Sequence, residues 1–368
     1  MRPARRRMGW VAAVASAVAC APDEPPQREL PPITWSGEHL DYAPQEGAYA
    51  LCAGTLPYMD RHVALAADAM GVELERPLLY VQGSDEAETF CEHQGTLGCA
   101  FRDSVYSLVA PQEHELVHGV RSRAGFSHLF FEEGTAELFG DDATMTLRKP
   151  ANGDLLEGIE SASGEHGLPL QWYPRAGHFA AYLHDQYGAG VTEALLRRTD
   201  PYSSTEEAIG VIEEVTGVSF DELREAYARE PACDQAHYRY PLVACEDPAA
   251  LRARCEGGEA VSFAEDVACG DPETLGPRDG EIWKYVAFEV EQDGEYEITA
   301  YSPESAVGER VVVKECSMRC DSILVEVEVG IVLDREPVFL RAGRYAMRIA
   351  RPEGEPGEVQ VAVLGECG

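Results

Sequence analysis

Apolar positions along the chain follow two different periods, and the change of period divides it into a helical part and a stranded part. Residues 51–71 carry apolar side chains three and four apart, which predicts a helix. Residues 174–199 and 204–229 predict two further helices, whereas the short apolar runs 77–81 and 105–109 predict strands. The first part of the chain is therefore expected to be mainly helical, with a small sheet.

Beyond residue 231 the apolar residues alternate with polar ones, which is typical of strands with one buried face. Residues 286–301 alternate on both sides of Asp293-Gly294, a pair that favours a β-hairpin turn. Further strands are expected at 309–315, 322–333, 337–350 and 358–364. The predicted fold class is α+β: a mainly helical domain with a small sheet at residues 45–231, followed by an all-β sandwich at residues 232–368.

The N-terminus has the features of an export signal. Residues 1–20 join a basic start to a short apolar stretch that is too brief to span a bilayer permanently. The stretch ends in Ala17-Val18-Ala19-Cys20, which resembles a bacterial lipobox with Cys20 as the lipidated residue. Residues 21–44 are predicted to form a Pro-rich tether and the first strand. We therefore expect an outer-membrane lipoprotein of the cell envelope, with a secreted protein as the alternative.

The cysteine count agrees with export. The chain has 11 cysteines. Setting Cys20 aside leaves an even number, and none of them forms paired C-x-x-C clusters, so disulfides in an oxidising compartment are expected. Cys91–Cys99 is the predicted local pair. If all these cysteines pair, at least one bridge must join the two parts of the chain. Cys52–Cys233 is the predicted one.

The charge balance limits the partners. Thirty basic and 65 acidic residues give a formal net charge of −35. Such a surface repels nucleic acid and anionic lipid, so no nucleic-acid partner is expected and membrane contact is expected only through the N-terminal lipid.

The strongest indication of chemistry is the sequence His114-Glu115-Leu116-Val117-His118, a complete H-E-x-x-H. On a helix, residues four apart share a face, so His114 and His118 can bind one Zn²⁺ ion. Glu115 lies beside that face, where a general base can take a proton from a zinc-activated water. The motif predicts a zinc-dependent hydrolase.

A second predicted helix supplies further ligands. It covers residues 130–138 and carries Glu133 and Glu137 four apart. Glu133 is the predicted third zinc ligand, and Glu137, one turn later, is expected to contact a ligating histidine from behind. Glu132 competes as the third ligand, but it would leave Ala136 in the outer position. His128 is a further alternative.

H-E-x-x-H followed by Glu133-Gly134-Thr135-Ala136-Glu137 resembles the gluzincin metallopeptidases, the group that contains thermolysin and aminopeptidase N. The resemblance covers roughly residues 75 to 230 and extends to Tyr173, followed nine residues later by Tyr182-Leu183. It implies a zincin catalytic domain, a peptide or protein substrate, and Tyr173 as the donor to the oxyanion. It also implies that a strand edge beside the H-E-x-x-H helix pairs with the substrate backbone, and here the strand at 105–109 is the predicted one.

The predicted function is an exported zinc metallopeptidase with Glu115 as general base. The alternative is a surface binding or adhesion lipoprotein that keeps the zincin fold without catalysis, but a retired enzyme has no chemical need for Glu115. A sugar-directed C-terminal domain would require exposed aromatic platforms, and Trp283 is the one tryptophan of that region.

Overall fold

A computed structural model describes residues 30–84, 91, 97–101, 103–140, 145, 149–162, 167–253, 261–303, 309–329 and 337–365. The predicted signal peptide, Cys20 and residues 21–29 of the tether lie outside the described residues, as do Cys255 and Cys367. The architecture is a mixed α+β fold.

The first part of the chain contains a five-stranded mixed sheet. Its strands are β1 (Trp35–Ser36), β2 (Leu40–Pro44), β3 (Leu78–Gln82), β4 (Gly98–Phe101) and β5 (Ser104–Ser107). Their order in the sheet is β1-β2-β3-β5-β4, with β2, β3 and β5 parallel and β1 and β4 antiparallel to their neighbours. The strand predicted at 105–109 corresponds to β5, which is an inner strand. The free edge that was predicted to pair with a substrate therefore belongs to β4 and not to this strand. Sequence periodicity could not reveal this, because β4 is short and both strands follow one another along the chain.

The helices lie along the chain between β2 and the strands of the second part, and the first two of them pack against this sheet. They are α1 (Thr55–Ala69), α2 (Glu113–Ala124), α3 (Leu129–Phe139), α4 (Leu155–Ser161), α5 (Tyr173–Tyr187), α6 (Ala189–Arg198), α7 (Thr205–Thr216), α8 (Phe220–Tyr227), α9 (Gln235–Tyr238) and α10 (Leu242–Cys245). A single 3-10 turn, Leu170–Trp172, precedes α5. Within the described residues, none of these helices combines the length and the apolar character needed to cross a membrane.

The two long helices predicted at 174–199 and 204–229 are each divided in two. Gly188, with φ of +84°, ends α5, and Gly217, with φ of +74°, ends α7 in the left-handed conformation. Ser219 then starts α8 with a reciprocal capping box to Glu222. The apolar period continues across both breaks, so the sequence pattern predicted one long helix where the structure has two shorter ones.

The second part consists of two antiparallel-rich sheets packed face to face. The strands are β6 (Leu251–Ala253), β7 (Val261–Val267), β8 (Leu275–Arg278), β9 (Glu281–Val290), β10 (Gly294–Tyr301), β11 (Arg310–Glu315), β12 (Leu324–Glu328), β13 (Val338–Leu340), β14 (Gly343–Pro352) and β15 (Gly357–Gly365). One sheet has the order β13-β10-β15-β7, and the other has β12-β11-β14-β9-β6 with β8 paired to β9. Inward-facing apolar side chains of both sheets form a common core.

The predicted hairpin around Asp293-Gly294 is wrong. Strand β9 pairs with β14, whereas β10 pairs with β13 and β15, so the turn at Asp293 carries the chain from one sheet to the other. The Asp293 carboxylate accepts a hydrogen bond of 2.6 Å from the backbone N–H of Ala342. An alternating pattern specifies which face of a strand is buried, but not which strand lies beside it.

The two parts share a hydrophobic core. The core cluster around the helices also contains Leu242, Leu275 and Trp283, which lie beyond the predicted boundary at residue 231. The Tyr58 ring of α1 stacks on Tyr285 of β9 with centroids 5.8 Å apart. Trp283 is fully buried, so it offers no exposed platform for a sugar.

Four disulfides cross-link the described residues: Cys52–Cys269, Cys91–Cys99, Cys233–Cys320 and Cys245–Cys316. The local pair Cys91–Cys99 and the expectation of a bridge between the two parts are confirmed. The predicted pairing of Cys52 with Cys233 is wrong, because each of these cysteines bonds to a partner in the β-sandwich. Disulfides of this number are consistent with an extracellular or envelope protein.

Candidate metal centre

Two helices bring the predicted ligands together. Helix α2 presents His114 and His118 on one face, with ring centroids 4.8 Å apart. Helix α3 packs against α2 and presents Glu133, which is fully buried. Because residues four apart on a helix project in nearly the same direction, the two histidines meet the carboxylate from one side.

The three ligand atoms form a nearly equilateral triangle. His114 Nε2 and His118 Nε2 are 3.2 Å apart, and each lies 3.2 Å from Glu133 Oε2. A neutral imidazole nitrogen carries at most one proton, so hydrogen bonds cannot satisfy all three sides of this triangle. Ligands of a tetrahedral zinc ion are separated by about 3.3 Å, given ligand bonds of about 2.0–2.1 Å. The donor set and its spacing therefore fit Zn²⁺.

The electrostatics of the cluster favour a cation. Burial tends to raise the pKa of Glu133, but His118 and the hydrogen bonds from both histidines outweigh it and hold the pKa at about 2. Burial tends to lower the pKa of His118, yet Glu133 and Glu132 raise it well above its ordinary value. Glu133 is therefore ionised and lies next to two imidazole rings, and its negative charge favours a cation at this position.

A carboxylate stands behind each histidine. Glu137 Oε1, predicted for an outer position, lies 3.7 Å from His114 Nδ1. Glu132 Oε1, the competing ligand, lies 3.6 Å from His118 Nδ1, whereas Glu133 faces Nε2 of the same ring. Carboxylates in this place orient a ligating imidazole and increase its basicity.

Each of these outer carboxylates is held in turn by buried partners that the sequence did not indicate. Glu132 Oε2 accepts hydrogen bonds from the backbone N–H and the hydroxyl of Ser127, at 3.0 and 2.7 Å, and lies 3.5 Å from Arg121 Nε. Glu137 Oε2 accepts hydrogen bonds from Gln235 and, at 2.7 Å, from Arg239 Nη2.

Gln235 and Arg239 belong to the short α9 region, beyond the predicted domain boundary, and both are almost fully buried. No motif marks them. The one feature of the sequence that relates them is their spacing of four residues, which places both side chains on one face of a helical turn.

Glu115 lies next to the three ligands and against the edge strand. It is 3 % exposed, and among the described residues its Oε2 has no hydrogen-bond partner. Burial raises the pKa of Glu115, an effect that His114 and His118 partly offset. Gly98 of β4 makes room for it, because a Cβ at position 98 would lie 2.8 Å from Glu115 Cγ. A carboxylate with a raised pKa and an unused oxygen is suited to accept a proton.

Tyr173 reaches the cluster from the first turn of α5. Its ring stacks on His114 with centroids 5.9 Å apart and an interplanar angle of 16°. Burial, together with the carboxylates of Glu133 and Glu115 and a hydrogen bond to Glu133, raises the pKa of Tyr173 well above its usual value. The phenol is therefore protonated across the neutral range and can donate a hydrogen bond.

Gly134 explains how α5 comes close enough to do this. A Cβ at position 134 would lie 2.6 Å from the backbone oxygen of Ala176, so α3 and α5 are in backbone contact at this point. A larger residue would move α5, and Tyr173 with it, away from Glu133.

Three other histidines of the described residues stand apart from the cluster. His128, the further alternative ligand, is fully buried next to Phe131, and burial lowers its pKa to about 4. His178 and His184 lie further along α5, where His184 contacts the ring of Phe139. Within the described residues, the group of three convergent ligands here is His114, His118 and Glu133.

Comparison with known proteins adds little to this geometry. No protein-family model matches the chain, and no curated protein matches its sequence. Aminopeptidase A of Legionella pneumophila, solved in complex with aspartic acid, matches with 7 % identity and a TM-score of 0.34. The match covers 86 % of this chain and 34 % of that one, so this chain spans about a third of its length. A likeness this weak carries no argument about function.

The buried support of Glu137 leads to a test. We expect Arg239→Met to weaken zinc binding by about 10- to 100-fold, the range for loss of a group that orients a metal ligand. The reason is that Glu137 would lose one of the two side-chain hydrogen bonds that its Oε2 accepts among the described residues. Zinc affinity would be measured by competition with a chromophoric chelator. Arg229→Met, at an exposed position of similar chemistry, is the control. Equal affinity in both variants would contradict the positioning role of Arg239.

Proposed function

We propose that this protein is an exported zinc metallopeptidase that hydrolyses peptide bonds. The observation that carries the proposal is the convergence of His114, His118 and Glu133 within 3.2 Å of one another, with Glu115 beside them. Three protein ligands and a neighbouring carboxylate base are the composition of catalytic zinc sites, whereas structural zinc sites are closed by four protein ligands.

Zinc bound at these ligands would polarise the scissile carbonyl and acidify an attacking water. Glu115 accepts the proton of that water and passes it to the leaving amine, a transfer for which its raised pKa is suited. Tyr173 donates its hydroxyl proton in a hydrogen bond to the negative charge that develops on the carbonyl oxygen. Glu132 and Glu137 hold the imidazoles in place throughout.

The edge strand β4 supports a peptide as the substrate. Its outer side has no neighbouring strand in the described sheet, and Gly98 in it lies against Glu115. An extended peptide can pair with such an edge through backbone hydrogen bonds, which hold a chain without reading its side chains. A peptide bound there would lie directly beside the general base.

The export part of the proposal rests on the N-terminal sequence and the disulfides. Lipidation of Cys20 would anchor the catalytic part to a membrane of the cell envelope through the Pro-rich tether, and the four disulfides are consistent with an extracellular or envelope location.

Metal analysis tests the proposed centre. We expect one zinc ion per chain in the purified protein, its loss in His114→Ala and His118→Ala, and weaker binding in Glu133→Ala, because each variant removes one of three ligands. Metal content would be measured by mass spectrometry after dialysis. His184→Ala, a histidine of α5 outside the cluster, is the control and keeps its zinc. Full occupancy in Glu133→Ala would contradict Glu133 as the third ligand.

A further inference from the structure

A second group of metal-ligand side chains lies away from the candidate metal centre. His178 of α5, Cys233 before α9 and Cys320 between β11 and β12 bring their ligand atoms within 4.8 Å of one another. Cys233 and Cys320 form a disulfide, and His178 Nε2 lies 2.9 Å from the sulfur of Cys320. Three separate segments of the chain thus meet at one disulfide.

The imidazole is held so that Nε2 points at the sulfur. The ring is 5 % exposed, and its Nδ1 lies 2.7 Å from the hydroxyl of Tyr227. Arg175 fixes that hydroxyl by donating to it from Nη1 at 3.1 Å. Burial, with a further contribution from Arg175, lowers the pKa of His178 to about 4, so the ring is neutral at neutral pH.

Metal-binding histidines share this placement of the two ring nitrogens. A hydrogen-bonding partner behind one nitrogen holds the ring plane, and the other nitrogen is directed at the ligand position. While the disulfide is intact, its sulfur is a weak hydrogen-bond acceptor, so the direction of Nε2 serves no strong contact in the oxidised state.

We propose that the Cys233–Cys320 disulfide is one of two states of this group, and that its reduced state is a cation site formed by His178 Nε2 and the two thiolates. The reductant is a dithiol: its two S–H bonds are replaced by an S–S bond, the Cys233–Cys320 bond breaks, and each cysteine sulfur gains one of the protons. The cation then displaces both protons. Two thiolates and an imidazole select a thiophilic ion, of which Zn²⁺ is the probe.

Both states would cross-link the chain at this point, but the cation would join one more element than the disulfide does. The disulfide links the segment before α9 to the β-sandwich, and the cation would link both of these to α5 as well. The site is therefore a cross-link that thiol–disulfide exchange converts from a covalent to a coordinate one. It does not depend on the proposed peptidase activity, because none of its residues contacts the candidate metal centre in the described contacts.

The test uses the full chain with the first centre silenced by His114→Ala and His118→Ala. After reduction with dithiothreitol and its anaerobic removal, the chain is titrated with Zn²⁺ against a chromophoric chelator. We expect one zinc ion per chain that the unreduced protein does not bind. Cobalt in place of zinc should give the thiolate charge-transfer absorption. Zinc should also protect Cys233 and Cys320 from alkylation.

Variants assign the site. Adding Cys233→Ser with Cys320→Ser should abolish the reduction-dependent zinc, and adding His178→Gln should weaken it by at least about tenfold. Cys245→Ser with Cys316→Ser, the neighbouring disulfide, is the matched control and should leave it unchanged. Absence of zinc binding after reduction would overturn the proposal, as would its persistence without Cys233 and Cys320 or its loss in the control. Should His178→Gln fail to fold, the alkylation pattern of the parent chain decides.

Discussion

Glu115→Gln is expected to lower peptide hydrolysis by about 10²–10⁴-fold, the contribution typical of a positioned general base. The amide keeps the shape of the side chain and the close contact with Gly98 of β4, but it cannot take a proton. Because His114, His118 and Glu133 are untouched, the zinc content should stay the same. The measurement is kcat/KM on a peptide that the wild-type chain cleaves, together with the metal content of both proteins.

Glu113→Gln is the matched control for this variant. Glu113 is a buried carboxylate of the same helix, and the Tyr58 hydroxyl donates to its Oε1 at 3.3 Å, which an amide oxygen can also accept. It should retain activity. Wild-type protein that holds zinc but cleaves nothing in a broad peptide library would contradict the peptidase and favour the surface binding lipoprotein.

The candidate centre is largely local in sequence, which is why it could be predicted. The relation between His114 and His118 requires nothing but helical geometry, and Glu133 requires one further helix packed against the first. The structure brings these three atoms together as the spacing predicted. Glu132 shows what sequence spacing cannot decide. From the sequence, Glu132 and Glu133 were both candidates for the third ligand, and only the packing of the helices shows that Glu132 lies at Nδ1 of His118.

What the sequence did not predict depends on contacts between distant segments. Arg239 meets Glu137 across 102 residues of chain, and Cys52 meets Cys269 across 217. Neither relation has a period or a motif. The pairing of β9 and β10 with strands of different sheets is of the same kind, because the alternation that identifies a strand is identical for every partner it could have.

The relation between the two parts of the chain follows from these distant contacts. The predicted boundary at residue 231 stays a prediction, but the region beyond it contributes Gln235 and Arg239 to the support of Glu137. Lys314 and Ser322 of the β-sandwich both donate to the backbone oxygen of His237, within the same short helix. The sandwich thus holds α9, and α9 holds a residue behind a predicted zinc ligand.

Tyr173→Phe is expected to lower kcat by about 10²–10³-fold, which is the usual effect of losing one donor to an oxyanion. The substitution removes the hydroxyl and nothing else: the Phe ring can keep the stacking on His114, and the backbone contact of α5 with Gly134 is unaffected. The hydroxyl is protonated at neutral pH because burial and the nearby carboxylates raise its pKa, so it keeps the proton that it would donate to the oxyanion in place of Glu133.

The distribution of the effect between kcat and KM separates this role from packing. An oxyanion donor acts on charge that is absent from the bound substrate, so KM should change little while kcat falls. Tyr182→Phe, nine residues further along α5 and also buried, is the control and should keep its turnover. Zinc affinity measured in parallel shows whether the hydrogen bond to Glu133 matters for the metal. Turnover of Tyr173→Phe equal to that of wild type would make Tyr173 a packing residue, and the developing negative charge would then need another donor.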